Sequence, residues 1–138
     1  MARLWAGVLA VVAFCQVAEA APLACRVVRV VDGDTLQMAC QGAAHRVRLL
    51  GYDTPEVTRP ACEAERVAGL AAAEELRDLV ALGAVTGFAV AGRDRYGRDL
   101  ADVAIAGRDV AAAMLGSGLA LPYWGGQRPD WCGVLADG

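Results

Sequence analysis

The sequence predicts one small α+β domain that is mainly β-structure, and three observations support this fold class. The chain has 138 residues, which is the length of a single ordinary domain. Short runs rich in β-branched residues precede the first amphipathic segment, and two more such runs follow it. After residue 21 the chain contains no internal repeat and no stretch with the composition of a linker. We therefore expect residues 21–138 to form one domain.

The first twenty residues are predicted to be a signal peptide. Arg3 precedes an apolar run over residues 4–14, and Ala18-Glu19-Ala20 has the small-x-small pattern of a cleavage site. The run is shorter than the roughly 20 apolar residues that span a bilayer. A lipid anchor on Cys15 is disfavoured because bulky Phe14 precedes it. The expectation is a secreted or periplasmic protein with no membrane attachment after cleavage.

Four cysteines follow the predicted signal peptide, and an even number in an exported chain favours disulfides. The absence of any C-x-x-C pair makes structural zinc the weaker alternative. Cys25 and Cys40 flank an Asp-Gly pair almost symmetrically, so they are expected to face each other across a hairpin. That pairing leaves Cys62 with Cys132.

The predicted elements follow in order along the chain. Residues 27–31 and 35–40 are strands around Asp32-Gly33, and residues 46–50 form a third strand. An apolar stripe over residues 63–82 predicts an amphipathic helix that ends at Gly83. Residues 85–90 and 100–105 are two further strands, and Asp109 caps a short second helix.

Three strands, a helix, two strands and a helix fit a five-stranded barrel of the oligonucleotide-binding type. A plain α+β sandwich would use the same elements, and the pattern does not separate the two. No third helix is predicted after the second one.

The composition excludes several classes of enzyme. The chain has no Lys and no Asn, one histidine (His45) and one serine (Ser117). Schiff-base and Ser-Lys chemistry, two-histidine nucleases and histidine-rich zinc sites are therefore ruled out. Ser117 lies in Leu-Gly-Ser-Gly-Leu, which is not a nucleophile elbow. His45 and Trp131 are expected to be structural or exposed.

Four short segments carry polar residues suited to chemistry. They are Val31-Asp32-Gly33-Asp34-Thr35, Arg48, Asp53-Thr54-Pro55-Glu56 and Arg95-Tyr96-Gly97-Arg98. Each segment alone also has an ordinary interpretation as a turn, a loop or a solvated strand residue. Together they combine hard oxygen ligands with arginines that bind phosphate, which is what metal-assisted phosphodiester cleavage requires.

These four segments, in this order and spacing and followed by Gly118-Leu119-Ala120, resemble the thermonuclease or staphylococcal-nuclease-like family. The resemblance covers about residues 26–124 and implies an oligonucleotide-binding barrel. It departs from the family's type member in two respects: the net charge is −3, and the chain ends where that protein continues into a third helix.

The resemblance also implies a role for each site residue. Asp34, Asp53 and the Thr54 carbonyl would bind Ca²⁺, with Asp32 supporting them through water. Glu56 would orient or deprotonate the attacking water, and Arg48 and Arg98 would bind the scissile phosphate. Substrate contacts would come from Arg95, Tyr96, Tyr123 and Trp124.

The function expected from the resemblance is an exported, calcium-dependent endonuclease. It would act as a monomer, hydrolyse phosphodiesters in DNA and RNA, and leave 3′-phosphates. The alternative is a non-catalytic secreted module that binds nucleic acid or oligosaccharide on the same barrel.

Overall fold

The computed structural model describes residues 24–138, so the predicted signal peptide lies outside the described residues. The elements are β1 (Cys25–Asp32), β2 (Thr35–Cys40), β3 (Ala43–Leu49), β4 (Gly51–Asp53), α1 (Glu63–Ala81), β5 (Val85–Arg93), β6 (Asp99–Ile105), β7 (Arg108–Asp109), α2 (Val110–Gly116), β8 (Leu121–Tyr123) and α3 (Trp131–Ala136). The mixed α+β class with mainly strands is confirmed.

The main sheet has the strand order β1-β2-β3-β6-β5, with β7 added beside β6. Strands β1, β2 and β3 form an antiparallel meander, and β3 pairs with β6 in parallel. Helix α1 lies on the long connection that a parallel pair requires. The five predicted strands are therefore the five strands of this path.

The predicted closure of the sheet into a barrel is not seen. The outer strands β1 and β5 approach each other, but within residues 24–138 no ladder joins them. Both strands carry register shifts, β1 after Val27 and Val30 and β5 after Val85 and Val90. Such irregularities bend a strand and interrupt its pairing with its neighbour.

A second, two-stranded sheet was not predicted from the sequence. Strand β4 pairs antiparallel with β8, so that Gly51 lies opposite Tyr123 and Asp53 opposite Leu121. Three-residue strands are too short to show an alternating pattern, which explains why they were read as loop. The pairing places the end of β4 beside the C-terminal segment of the chain.

The core lies between the inner face of the main sheet and the helices. Leu36, Val47 and Ile105 of the sheet are buried with Leu76 of α1 and Met114 of α2.

Helix α1 starts and stops within a residue or two of the predicted bounds. Helix α2 is capped as predicted, because the Asp109 carboxylate accepts a hydrogen bond from the Ala112 N–H at 2.7 Å. No helix among the described residues is long and apolar enough to cross a membrane.

Both predicted disulfides are present in the structure. Cys25–Cys40 closes the open end of the β1–β2 hairpin, where the two cysteines are directly paired across the strands. Cys62–Cys132 joins the residue before α1 to the C-terminal segment, 70 residues further along the chain. The second bridge fastens the chain's end to the loop that precedes α1.

The prediction that no third helix follows α2 is wrong. Helix α3 is six residues long, and the Asp130 carboxylate caps it by accepting from the Gly133 N–H at 3.2 Å. A six-residue helix has fewer than two turns, so its sequence cannot show helical periodicity. Its buried residue is Trp131, which packs at the site described below.

Candidate active site

The polar segments singled out in the sequence converge on one cleft of about 960 Å³. Every predicted site residue lines it: Asp32, Asp34, Arg48, Asp53, Thr54, Glu56, Arg95, Tyr96, Arg98, Tyr123 and Trp124. The lining comes from the β1–β2 turn, the ends of β3, β4 and β8, and the β5–β6 loop. The positions of these residues fit the predicted site, whereas their chemical roles stay predictions.

Gly33 brings the β1–β2 turn close to the rest of the site. A Cβ atom on this residue would lie 2.7 Å from the Ala72 Cβ and 2.8 Å from the Thr54 Oγ1, so only glycine fits. Its φ is not left-handed; that conformation is found instead at Gln41 and Gly42 in the next turn. The buried Tyr52 hydroxyl donates to the Gly33 carbonyl at 2.9 Å and fixes the turn against β4.

Two buried carboxylates, Asp34 and Asp53, face a shared arginine. The Arg48 Nη2 lies 3.1 Å from the Asp34 Oδ2 and 3.0 Å from the Asp53 Oδ1. Its Nη1 donates to the carbonyls of Leu49 and Tyr52 at 2.7 and 3.1 Å. Arg48 is therefore held rigidly by the chain that follows it, with its guanidinium on the wall of the cleft.

Burial raises the pKa of Asp34 to about 6, and the neighbouring Asp32 carboxylate adds to this effect. The Arg48 guanidinium lowers the pKa but does not outweigh burial. Because burial disfavours the ionised form of this carboxylate, any further positive charge beside it stabilises that form. Asp32 itself accepts a hydrogen bond from the Asp34 N–H at 3.1 Å, which stabilises the turn.

Sequence reasoning missed Arg128, whose side chain makes four polar contacts in the cleft. Its Nε lies 3.0 Å from the Asp53 Oδ1, and its Nη2 lies 3.2 Å from the Asp53 Oδ2. The Nη2 also donates to the Thr54 carbonyl at 3.1 Å, and the Nη1 is 3.5 Å from the Glu56 Oε2. No periodicity or motif marks this arginine, because it lies in an irregular Gly- and Pro-containing segment.

Trp131 is structural, as expected, but it also belongs to the site. Its side chain is buried, and its indole N–H donates to the Asp53 Oδ2 at 2.9 Å. Asp53 is fully buried and is thus held by Arg48, Arg128 and Trp131 together. A buried ionised carboxylate needs such partners to offset its lost hydration.

Glu56 lies on the segment between β4 and α1. Burial alone would raise the pKa of Glu56, but hydrogen bonds from backbone N–H groups, that of Thr58 foremost, and the charge of Arg128 outweigh it, so this pKa lies below its ordinary value. The Glu56 N–H donates to the buried Glu65 carboxylate at 3.1 Å, and the Ala61 N–H donates to it at 2.7 Å. Glu65, which the sequence did not single out, therefore fixes the backbone that carries Glu56.

The β5–β6 loop also lines the cleft. Asp94 accepts from the Tyr96 and Arg98 N–H groups at 2.9 Å each, and the Arg98 Nε donates to its Oδ2 at 2.7 Å. The Arg98 Nη1 is 3.5 Å from the Thr35 hydroxyl on β2. The Arg95 Nη2 donates to the exposed Tyr96 hydroxyl at 2.8 Å. The Thr35 hydroxyl in turn donates to the Asp34 Oδ1 at 2.9 Å, so the loop places Arg98 in the same cleft, one side chain away from Asp34.

Two aromatic residues at the end of β8, Tyr123 and Trp124, line the cleft. The Arg48 guanidinium lies 5.9 Å from the centre of the Tyr123 ring, within the range of a cation–π contact. Trp124 is 84% exposed, and its ring edge lies near Gly51. A solvent-exposed indole at a cleft is available for stacking on a ligand, whereas core packing was the other interpretation of this residue.

The donor set of the cleft fits a hard cation. Within residues 24–138 no three Asp, Glu, His or Cys side chains are arranged to hold a metal ion. The oxygens that do lie together are the Asp34 and Asp53 carboxylates and the Thr54 carbonyl, and all three already contact guanidinium groups. Carboxylate and carbonyl oxygens are the ligands that Ca²⁺ takes in proteins.

The fold and the cleft together define a class of protein. It is a β-sheet domain with a cleft that combines buried carboxylates with arginines. Residues 46–129 match the family described as Staphylococcal nuclease homologue, which is more than half of the chain. The chain belongs to this family. The matched range contains Arg48, Asp53, Glu56, Arg98 and Arg128.

Curated proteins with similar sequences include three nucleases. The chain is 37% identical over 94 residues to the SPbeta prophage-derived endonuclease YokF of Bacillus subtilis (strain 168), which covers 67% of this chain and 31% of that protein. Endonuclease YncB of the same strain is 36% identical over 94 residues, covering 67% and 44% of the two chains. The thermonuclease of Staphylococcus hyicus is 33% identical over 78 residues, covering 56% and 46%. The chain spans about a third to a half of the length of these relatives.

Proposed function

We propose that the protein is an exported, calcium-dependent endonuclease that hydrolyses phosphodiester bonds in DNA and RNA and leaves 3′-phosphates. The observation that carries the proposal is that Arg48, Arg98, Glu56 and the Asp34–Asp53 pair line one cleft, with Arg48 in direct contact with both aspartates. Membership of the nuclease homologue family and the names of the three relatives support the same activity.

The proposal includes the architecture and location of the protein. The strand order and the family support an oligonucleotide-binding barrel whose β1 and β5 edges converge without a ladder. Two disulfides are typical of a protein that folds outside the cytoplasm, so we propose that residues 1–20 are a signal peptide and that the protein is secreted or periplasmic. We further propose that residues 21–138 act as a monomer.

In the proposed mechanism Asp34, Asp53 and the Thr54 carbonyl would hold the Ca²⁺, with Asp32 supporting the site through water. When bound, the ion would supply positive charge that polarises the phosphate. Glu56, whose lowered pKa keeps it ionised at neutral pH, accepts the proton of the attacking water. Its backbone N–H is bonded to Glu65, and its carboxylate accepts from the Thr58 N–H at 2.9 Å.

The arginines stabilise the charge that develops on the phosphate. Arg48 is held in place before substrate arrives, so its positive charge requires no reorganisation during the reaction. Arg98 faces the same space from the β5–β6 loop. We propose that Arg95, Tyr96 and Tyr123 contact the substrate and that Trp124 stacks on an unpaired base.

The variant Glu56→Gln tests the proposed mechanism. Loss of the base is expected to lower turnover by about 10²–10⁴-fold, with the unfolding transition nearly unchanged because the side chain is partly exposed. The matched control is Glu74→Gln, an exposed glutamate on α1 whose side chain pairs only with Arg77 among the described residues. Equal turnover of Glu56→Gln and the control would exclude Glu56 as the base.

A further inference from the structure

Arg128 occupies the oxygens that the proposed function assigns to the cation. Its guanidinium contacts both carboxylate oxygens of Asp53 and the carbonyl of Thr54, at distances between 3.0 and 3.2 Å. A fourth contact, at 3.5 Å, reaches the Glu56 carboxylate. Two of the three proposed cation ligands are thus already bound by Arg128. Arg48 contacts Asp53 as well, and Asp34, through one nitrogen, whereas only Arg128 engages both Asp53 oxygens and the Thr54 carbonyl.

The segment that carries Arg128 is fixed on both sides of the arginine. Before it, β8 is paired with β4, whose last residue is Asp53. After it, the indole of Trp131 donates to Asp53, and Cys132 is bonded to Cys62. The backbone on both sides of Arg128 is therefore fixed beside the carboxylates, by strand pairing before it and by a disulfide after it.

A guanidinium and a divalent cation compete when they need the same oxygens. The contacts of Arg128 neutralise the charge of the Asp53 carboxylate and occupy the Thr54 carbonyl. Because the affinity of an oxygen site for Ca²⁺ depends on the charge of its ligands, these contacts lower that affinity. A site available in only a fraction of molecules binds its ligand with an affinity reduced by that fraction. The side chain of Arg128 is 45% exposed, so it has room to swing away from the cleft.

We propose that Arg128 is a built-in competitor of the cation, which sets the affinity of the site by closing it until a divalent ion displaces the guanidinium. This inference rests on the proposed calcium site. It assigns to Arg128 a role that is separate from phosphate binding by Arg48 and Arg98. The consequence is a nuclease that becomes loaded only where Ca²⁺ is abundant, as outside cells.

The test is calorimetric titration of the full, oxidised protein with CaCl₂ in the absence of substrate. If Arg128 closes the site in nine molecules of ten or more, Arg128→Gln is expected to bind Ca²⁺ at least about tenfold more tightly than the unaltered protein. Arg128→Lys is expected to fall between the two, because an ammonium cannot contact both Asp53 oxygens and the Thr54 carbonyl in the manner of a planar guanidinium.

Arg108→Gln is the matched control, since Arg108 is an exposed arginine on β7 that does not line the cleft. It removes the same charge and is expected to change the affinity by less than about twofold, because salt screens exposed charges over about 10 Å. Thermal unfolding of each variant in chelator verifies that the protein tested is folded.

The outcomes distinguish a failure of the proposed competition by Arg128 from a failure of the proposed calcium-dependent function. An unchanged or weaker Ca²⁺ affinity in Arg128→Gln overturns the competition and leaves the proposed nuclease intact. Equal tightening in Arg108→Gln also overturns it, because the effect would then be general electrostatics. If neither the unaltered protein nor Arg128→Gln binds Ca²⁺, the proposed calcium-dependent function fails, and the inference fails with it.

Discussion

The Cys62–Cys132 bridge is expected to be the larger of the two covalent contributions to stability. It joins residues 70 apart, whereas Cys25–Cys40 joins residues 15 apart. On the chain-entropy account these separations correspond to about 4 kcal/mol and about 3 kcal/mol of unfolding free energy. Replacing Cys62 and Cys132 by serine is therefore expected to cost about 4 kcal/mol.

Urea unfolding at equilibrium, with the remaining bridge oxidised and a chelator present, measures both losses. The comparison variant replaces Cys25 and Cys40 by serine, so each protein lacks one bridge and retains the other. The loss for the Cys62 and Cys132 pair should also include weakening of the Trp131 to Asp53 hydrogen bond, which increases the difference. A smaller loss for the longer loop would refute the view that this bridge holds the C-terminal segment on the site.

Three further predictions concern single side chains. Between pH 4 and pH 8, the unfolding free energy of Asp34→Asn, measured in chelator, should gain about 2 kcal/mol on that of the unaltered protein. The reason is that the raised pKa of Asp34 makes the unaltered protein lose stability as the pH rises through about 6. Glu65→Ala should lower the unfolding free energy by about 2–4 kcal/mol, since it removes acceptors for the Glu56 and Ala61 N–H groups; urea titration measures it, and a loss below 0.5 kcal/mol, roughly that of a neutral surface change, would contradict it. Trp124→Ala should raise KM for single-stranded DNA by about 5-fold or more, the loss of one stacked base, without moving the thermal midpoint; an unchanged KM would assign the indole no substrate contact.

Much of the fold could be predicted from the sequence because the longer elements carry strong local signals. The Asp32-Gly33 pair between β-rich runs indicated the first hairpin, and the apolar stripe of α1 gave both ends of that helix closely. The symmetric placement of Cys25 and Cys40 about the hairpin gave their pairing, and the other bridge followed.

The errors occurred where elements are short or where long-range geometry decides. Strands β4, β7 and β8 and helix α3 have two to six residues, too few for a periodic pattern. Closure of the sheet depends on how close the β1 and β5 edges come in three dimensions, which the local pattern of either strand does not show. Tertiary contacts decide these features, so a single sequence considered alone does not reveal them.

The site was predictable to the extent that its residues stand in recognisable segments. Asp34, Arg48 and Glu56 were found as parts of short motifs, and all of them line the cleft. Arg128 and Glu65 were missed because their importance lies in partners that are 75 and 9 residues away in the chain. Trp131 was rightly expected to be structural, but its hydrogen bond to Asp53 becomes visible only in three dimensions.

The central claim is calcium-dependent cleavage, and its most direct test is digestion of heat-denatured DNA by the oxidised protein. The reaction is run with Ca²⁺ and again with a calcium chelator, after both disulfides and the folded state have been verified. The account predicts cleavage with Ca²⁺ and none with the chelator. Undiminished cleavage in chelator would contradict the calcium dependence, and no cleavage in either reaction would favour the non-catalytic binding module instead.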